Sequence, residues 1–274
     1  MFREGIMFKP DERVLDALLD YKFLLNRGYR RQQALRIIEE RYRLTRVEKV
    51  FLYRSVFSDE DIRNRLAKKV LLNSIRNSKI LVDGFNVLTV IRSAIRGETL
   101  IICEDTFVRD LSSAFQKIKL DDNYYRALEI FLSDLKDLSL TENNTILIVY
   151  DAPVSRSGIL AGYTRELMKN HGIQGTALTV QKADKTVIEE SGVIVSGDSY
   201  IISRALKICD IGGIIALRHA SAKENIISIR RLIRERLKEF DAKTLSEGVK
   251  KIIKAPGNRD KRARERKRGQ DYTK

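Results

Sequence analysis

Four aspartates in this 274-residue chain follow short apolar runs, and they are the residues best placed to do chemistry. Asp83 ends Ile80-Leu81-Val82 and leads into Gly84-Phe85-Asn86, and Asp151 ends the run T-I-L-I-V-Y at 145–150. Asp184 opens a helical pattern after the run 177–181, and Asp198 follows Gly192–Val195 through Ser196-Gly197. If the runs are strands of one parallel sheet, their carboxyl ends share one edge and the four carboxylates converge. Carboxylates so crowded repel one another and rise in pKa unless a counter-charge joins them. A divalent cation meets that need. Hard oxygen donors suit Mg²⁺ or Mn²⁺, with positions left for water and a substrate phosphate. Such a metal polarises a phosphodiester, activates a bound water and steadies the leaving oxygen without any protein nucleophile. Taken singly, each aspartate also has an ordinary reading as turn or cap chemistry.

Other residues around these ends are secondary candidates. Asn86 and Ser196 could orient a metal-bound water or a phosphate, or simply cap helices. Ser155, Arg156, Ser157 and Gly158 lie between a strand and a helix, where backbone N–H groups and a cation can receive phosphate; an ordinary surface turn is the alternative. Gly84 is expected where the backbone turns or a ligand comes close. Arg109 and Asp110 are expected to pair with each other on the surface.

The elements that must hold these residues divide into three stretches, 1–77, 78–240 and 241–274. Helical periodicity runs from Pro10 to about Ile75, with Thr45 and Glu48 spaced as a capping box. The helices either side of Arg43-Leu44-Thr45 have helix-turn-helix proportions, crowded by Arg30, Arg31, Arg36, Arg41, Arg43 and Arg46. They could lie on a phosphate backbone or form the solvated face of a small bundle. Beyond residue 78 strands are expected at 80–82, 99–103, 145–150, 177–181, 192–195 and 213–217. Helices are expected at 87–95, 107–118, 124–138, from about 158 to 170, from 182 to 190, from 198 to 208 and at 222–240. That alternation predicts a doubly wound α/β domain with a mostly parallel sheet, preceded by a small all-helical domain.

Charge sits at the two ends. Residues 1–77 carry 18 basic and 11 acidic side chains and residues 251–274 carry 10 and 3, a net +7 each, leaving the middle near +1 of the total +15. This favours polyanion handling by the ends, the last stretch being a disordered basic tail. Cys103 and Cys209 lack metal-ligand spacing and His171 and His219 are isolated, which argues against a zinc site or a Cys/His nucleophile pair. Reduced cysteines, no long apolar run and no signal-like start predict a cytoplasmic protein with no membrane partner.

V-D-G-F-N-V at 82–87, A-D-K-T-V-I-E-E at 183–190 and V-S-G-D-S-Y-I-I at 195–202 resemble, in order and spacing, the acidic motifs of the PIN-like nucleases. The first resembles their NYN branch, and Y-D-A-P at 150–153 is similar to that branch's second-strand acid. The resemblance covers roughly residues 78 to 220. Joined to its helical N-terminal region, the module also resembles an uncharacterised two-part prokaryotic family. It implies a PIN-like fold and a metal-dependent endoribonuclease, with Asp83, Asp184 and Asp198 matching family acids, Asp151 the NYN-type acid and one more acid near Glu104-Asp105.

The expectation is therefore RNA hydrolysis assisted by Mg²⁺ or Mn²⁺, with RNA as partner; a homodimer is left open. The rival is a non-catalytic RNA- or ribosome-associated binding protein on the same fold. A phosphatase or phosphotransferase would need a D-x-D nucleophile setting, and Asp83-Gly84-Phe85 has no second acid there.

Overall fold

Helical periodicity in the first third yields α1 (Glu12–Asn26), α2 (Arg31–Tyr42), α3 (Arg46–Ser55) and α4 (Asp59–Lys68). Asp11 caps α1 by accepting from the Val14 N–H at 2.8 Å, and Thr45 with Glu48 closes the expected capping box on α3. The computed structural model describes residues 5–239. Of these, 5–232 form one compact unit and 233–239 belong to a second. The tail expected at 241–274 lies outside the described residues. No helix among them is long and apolar enough to cross a membrane.

Strands and helices then alternate: β1 (Lys79–Asp83), α5 (Gly84–Ile95), β2 (Leu100–Ile102), β3 (Val108–Asp110), α6 (Asp122–Asp137), β4 (Thr145–Asp151) and α7 (Ser157–Asn170). They continue as β5 (Gly175–Val180), α8 (Ala183–Glu189), β6 (Val193–Val195), α9 (Ser199–Arg204), β7 (Ile208–Cys209), α10 (Ile211–Arg218) and β8 (Ile226–Ser228). The main sheet has the order β5-β4-β1-β6-β7, with every pair parallel. Ile80, Val82, Ile146 and Ile148 pack with α5 and α6 on one face, while Leu81, Leu147, Val149 and Ile194 pack with α8 and α9 on the other. Burial of both faces explains why these strands read as continuous apolar runs. The chain is thus α/β, with a parallel five-stranded sheet and an N-terminal helical region.

From β1 the chain moves outward to β4 and β5, then returns to the other side at β6. The connections on either side of β1 and β6 diverge, opening a crevice beyond their carboxyl ends where parallel sheets take ligands.

Several local expectations fail for a common reason, a distant partner. The 107–118 segment is not an α-helix but a strand and a 3₁₀ turn at Ser112–Ala114: Thr106 turns with φ 65°, β3 pairs antiparallel with β2, and the Val108 N–H donates to Asp210 Oδ2 at 2.7 Å. Residues 213–217 are helix, not strand, because Asp210 caps α10 at Gly213 and this short apolar run suits either state. Helix α9 stops at Arg204 rather than 208, since Ile208 is drawn into the sheet edge, its carbonyl accepting from the Val70 N–H at 2.9 Å. The long helix expected from 222 begins only at residue 229, after β8 pairs parallel with β2. The 99–103 run accordingly belongs to a second sheet, ordered β3-β2-β8.

Candidate functional site

Asp83 closes the central strand and is only 4% exposed. The pairing Val82↔Val195 sets Ser196 beside it, and Ser196 Oγ donates to Asp83 Oδ2 at 2.8 Å while accepting from the Asp198 N–H at 3.0 Å. One hydroxyl therefore ties the end of β1 to the loop carrying Asp198. Asn86 Oδ1 reinforces the tie by accepting from the Gly197 N–H at 2.7 Å, rather than capping its own helix. Asp198 caps α9, accepting from the N–H groups of Tyr200 and Ile201 at 2.7 and 3.1 Å. On the other side, Asp83 pairs with Val149, two residues before Asp151. Asp151 Oδ1 accepts from the Ala183 N–H at 3.0 Å, which brings the start of α8, and hence Asp184, to β4.

The four carboxylates feel one another. Burial above all pushes the Asp83 carboxyl up to about 7 against the Ser196 hydrogen bond, and the charges of Asp184, Asp198 and Asp151 add to the rise. Asp184 is solvent-accessible, yet partial desolvation, then the charges of Asp198 and Asp151, raise its carboxyl too. Among the described residues no lysine, arginine or histidine ion-pairs with any of the four. An oxygen-only donor set lacking counter-charge fits a hard divalent cation. No three His, Cys, Asp or Glu among the described residues form a ready ligand group.

The phosphate-loop candidates divide. Ser155 and Arg156 are exposed in the loop after β4, Arg156 with φ 66°. Ser157 is buried and donates to the Ala152 carbonyl at 3.2 Å, holding its own turn. Gly84 answers a packing demand instead of a turn: a Cβ there would stand 2.4 Å from Cε1 of the buried Tyr150 ring.

The acids at 104 and 105 take a different part. Asp105 is fully buried, bidentate with Arg109 at 2.9 and 2.8 Å and paired with Arg65 of α4 at 2.8 Å. Glu104 accepts from the Phe57 N–H at 2.9 Å and pairs with Lys22 at 3.0 Å. Both acids thus anchor the helical region to the α/β fold. Arg109 does not pair with Asp110 on the surface; both are buried, and Asp110 holds Ser113 instead. Arg109 Nε also donates to the Gly197 carbonyl at 2.8 Å, beside Asp198, making it a positioning residue that spacing did not single out. Arg65, forty residues before its partner, gave no signal at all. Of the helix-turn-helix arginines, Arg31 is committed to the fold, donating to the Val56 carbonyl at 2.8 Å and stacking on Phe57.

Comparison with known proteins sets the chain among its relatives. Residues 72–214 match the family model of a domain of unknown function, DUF5616, and residues 13–68 that of a protein of unknown function, DUF434. An uncharacterised protein of Methanocaldococcus jannaschii is 32% identical over 183 residues, covering 67% of this chain and 86% of the relative. No solved structure matches. Since the first model spans just over half of the chain, from the last turn before β1 into α10, this protein belongs to the DUF5616 family.

Proposed function

We propose that the protein is a metal-dependent endoribonuclease of PIN-like fold, hydrolysing RNA phosphodiesters with Mg²⁺ or Mn²⁺ held by Asp83, Asp151, Asp184 and Asp198. One observation carries the reading: a buried aspartate at the sheet's switch point feels three further carboxylates and has no cationic partner among the described residues. The strand order, with β1 central and β6 beyond it, and the acidic motifs at 82–87, 150–153, 183–190 and 195–202 support it.

When bound, Mg²⁺ or Mn²⁺ would supply Lewis acidity toward the phosphate and lower the pKa of a water so that, once deprotonated, it could attack. The chain's own residues do the positioning. Asp83 is the rigid anchor, held by β1 and by Ser196. Asp198 is fixed by capping α9, and Gly197 beside it is gripped by Asn86 and Arg109. Asp184, the most exposed of the four, meets solvent and substrate first. Arg156, exposed after Asp151, is available to a phosphate, and the exposed arginines of the helical region add sequence-independent attraction.

The test is incubation of the full chain with single-stranded and structured RNA in Mn²⁺ or in EDTA, beside Asp83→Asn. Cleavage is expected only in the wild type with metal, with Asp83→Asn slower by roughly a hundredfold or more while RNA binding survives. Equal product from both proteins would overturn the assignment. The open geometry of the acids favours a second reading, RNA binding without cleavage. It predicts salt-sensitive binding and no product in any lane.

A further inference from the structure

A second polar cleft lies away from the four acids. It has a volume of about 520 Å³ and opens between the later turns of α5, the segment 112–121 and the start of α6. Its charge is opposite to that of the acid cluster. Arg92, Arg96, Lys117 and Lys119 line it against the single acid Asp121. Arg92 is immobilised: Nε and Nη2 bind the two oxygens of Asp121 at 3.1 and 2.6 Å, and the guanidinium lies 5.0 Å over the Tyr124 ring. Arg96 is likewise held through Nε by Glu98 at 2.7 Å. Each arginine keeps further N–H donors beyond these bonds. Lys117 and Lys119 are exposed and have no acidic partner among the described residues. At the rim stands Phe115, with Arg46 of α3 5.2 Å over its ring.

We propose that this cleft binds a nucleoside monophosphate unit, its phosphate between the lysines and the fixed arginines and its base toward Phe115. Guanidinium groups already held in place by carboxylates and a ring lose little freedom on meeting a phosphate. The volume lies within the range of small-ligand sites. An aromatic face beside cations is what a base-plus-phosphate ligand uses and a bare anion does not. Arg92 lies nine residues beyond Asp83, about 13 Å along a helix of 1.5 Å rise. The unit could thus be a free nucleotide or one residue of an RNA strand that also reaches the acids. The inference rests on the cleft alone and not on the proposed hydrolysis.

The test measures binding of adenosine 5′-monophosphate and of a labelled hexauridylate to the full chain at low salt in EDTA, where no metal occupies the acids. Lys117→Glu with Lys119→Glu alters only exposed side chains. Lys136→Glu with Lys169→Glu, also exposed and outside the cleft, matches the change in net charge. Loss of both ligands by tenfold or more in the first variant, and not in the second, supports the proposal with the free nucleotide as a ligand. The same loss for hexauridylate alone assigns the cleft to an RNA strand. Equal weakening in both variants, unchanged affinity in the first, or no binding of either ligand by the wild type overturns it.

Discussion

Asp83, the last residue of β1, and Asp105, just beyond β2, are both buried aspartates, and they differ in what faces them. Burial pushes the Asp105 carboxyl up, but the charges and hydrogen bonds of Arg109 and Arg65 overcome it and hold the group below the usual carboxylate range. Asp83 is pushed up by the same burial, and beyond one serine hydroxyl its charged surroundings are three more acids. The first arrangement is a finished structural joint that holds the helical region onto the fold. The second is an electrostatic debt that folding leaves standing, of the kind seen where a cation or substrate is to be received.

The largest effect is expected on the paired side. Asp105→Asn leaves two buried guanidinium groups short of counter-charge and should cost roughly 3–5 kcal/mol, read as a fall in urea midpoint. A loss below about 1 kcal/mol would mean that the joint bears little of the fold's stability.

The pH dependence of stability sharpens the contrast, because the two acids give opposite slopes. The Asp83 carboxyl titrates near 7 when folded and near the ordinary aspartate value of about 4 when unfolded. Between those values the folded state keeps a proton that the unfolded state has released. Its contribution therefore falls as pH rises through that window, by on the order of a few kcal/mol. Asp105, depressed in the fold, adds stability above its unfolded value and loses it as pH falls through the folded one. Metal-free denaturation at pH 5 and pH 8 should show wild type losing ground to Asp83→Asn at the higher pH. Parallel behaviour of the two proteins would count against a strained Asp83.

Ser196→Ala probes the smallest difference. It removes the hydrogen bond that partly relieves Asp83. The expected cost is roughly 1–2 kcal/mol at pH 8, where the carboxylate is charged, and less at pH 5. A cost independent of pH would assign the role of Ser196 to its bond from the Asp198 N–H and its packing, not to relief of Asp83.

Much of the frame was legible along the chain. The runs at 80–82, 145–150 and 192–195 are strands because buried parallel strands need continuous apolar residues, while the run at 177–181 became the edge strand β5, with Ala177 as its buried residue. The capping box at Thr45 is a purely local device and could be read directly. The mixed segment 107–118 and the short apolar run 213–217 could not, since local pattern alone does not separate helix from strand there. Their state was set by Asp210, which holds the Val108 N–H and caps Gly213 at once. The pairing of β2 with β8 links residues more than a hundred positions apart and leaves no trace in local periodicity.

The amino-acid order by itself determined where the carboxylates stand along the chain, which runs are apolar enough to bury, and that the acids at 83, 151, 184 and 198 cluster around strand ends. Only the tertiary structure decided that Asp83 has no cationic side-chain partner among the described residues while Asp105 receives two. The reason is physical: the energy of a charge depends on its burial and on the distance to other charges in space. Spacing along the chain encodes neither.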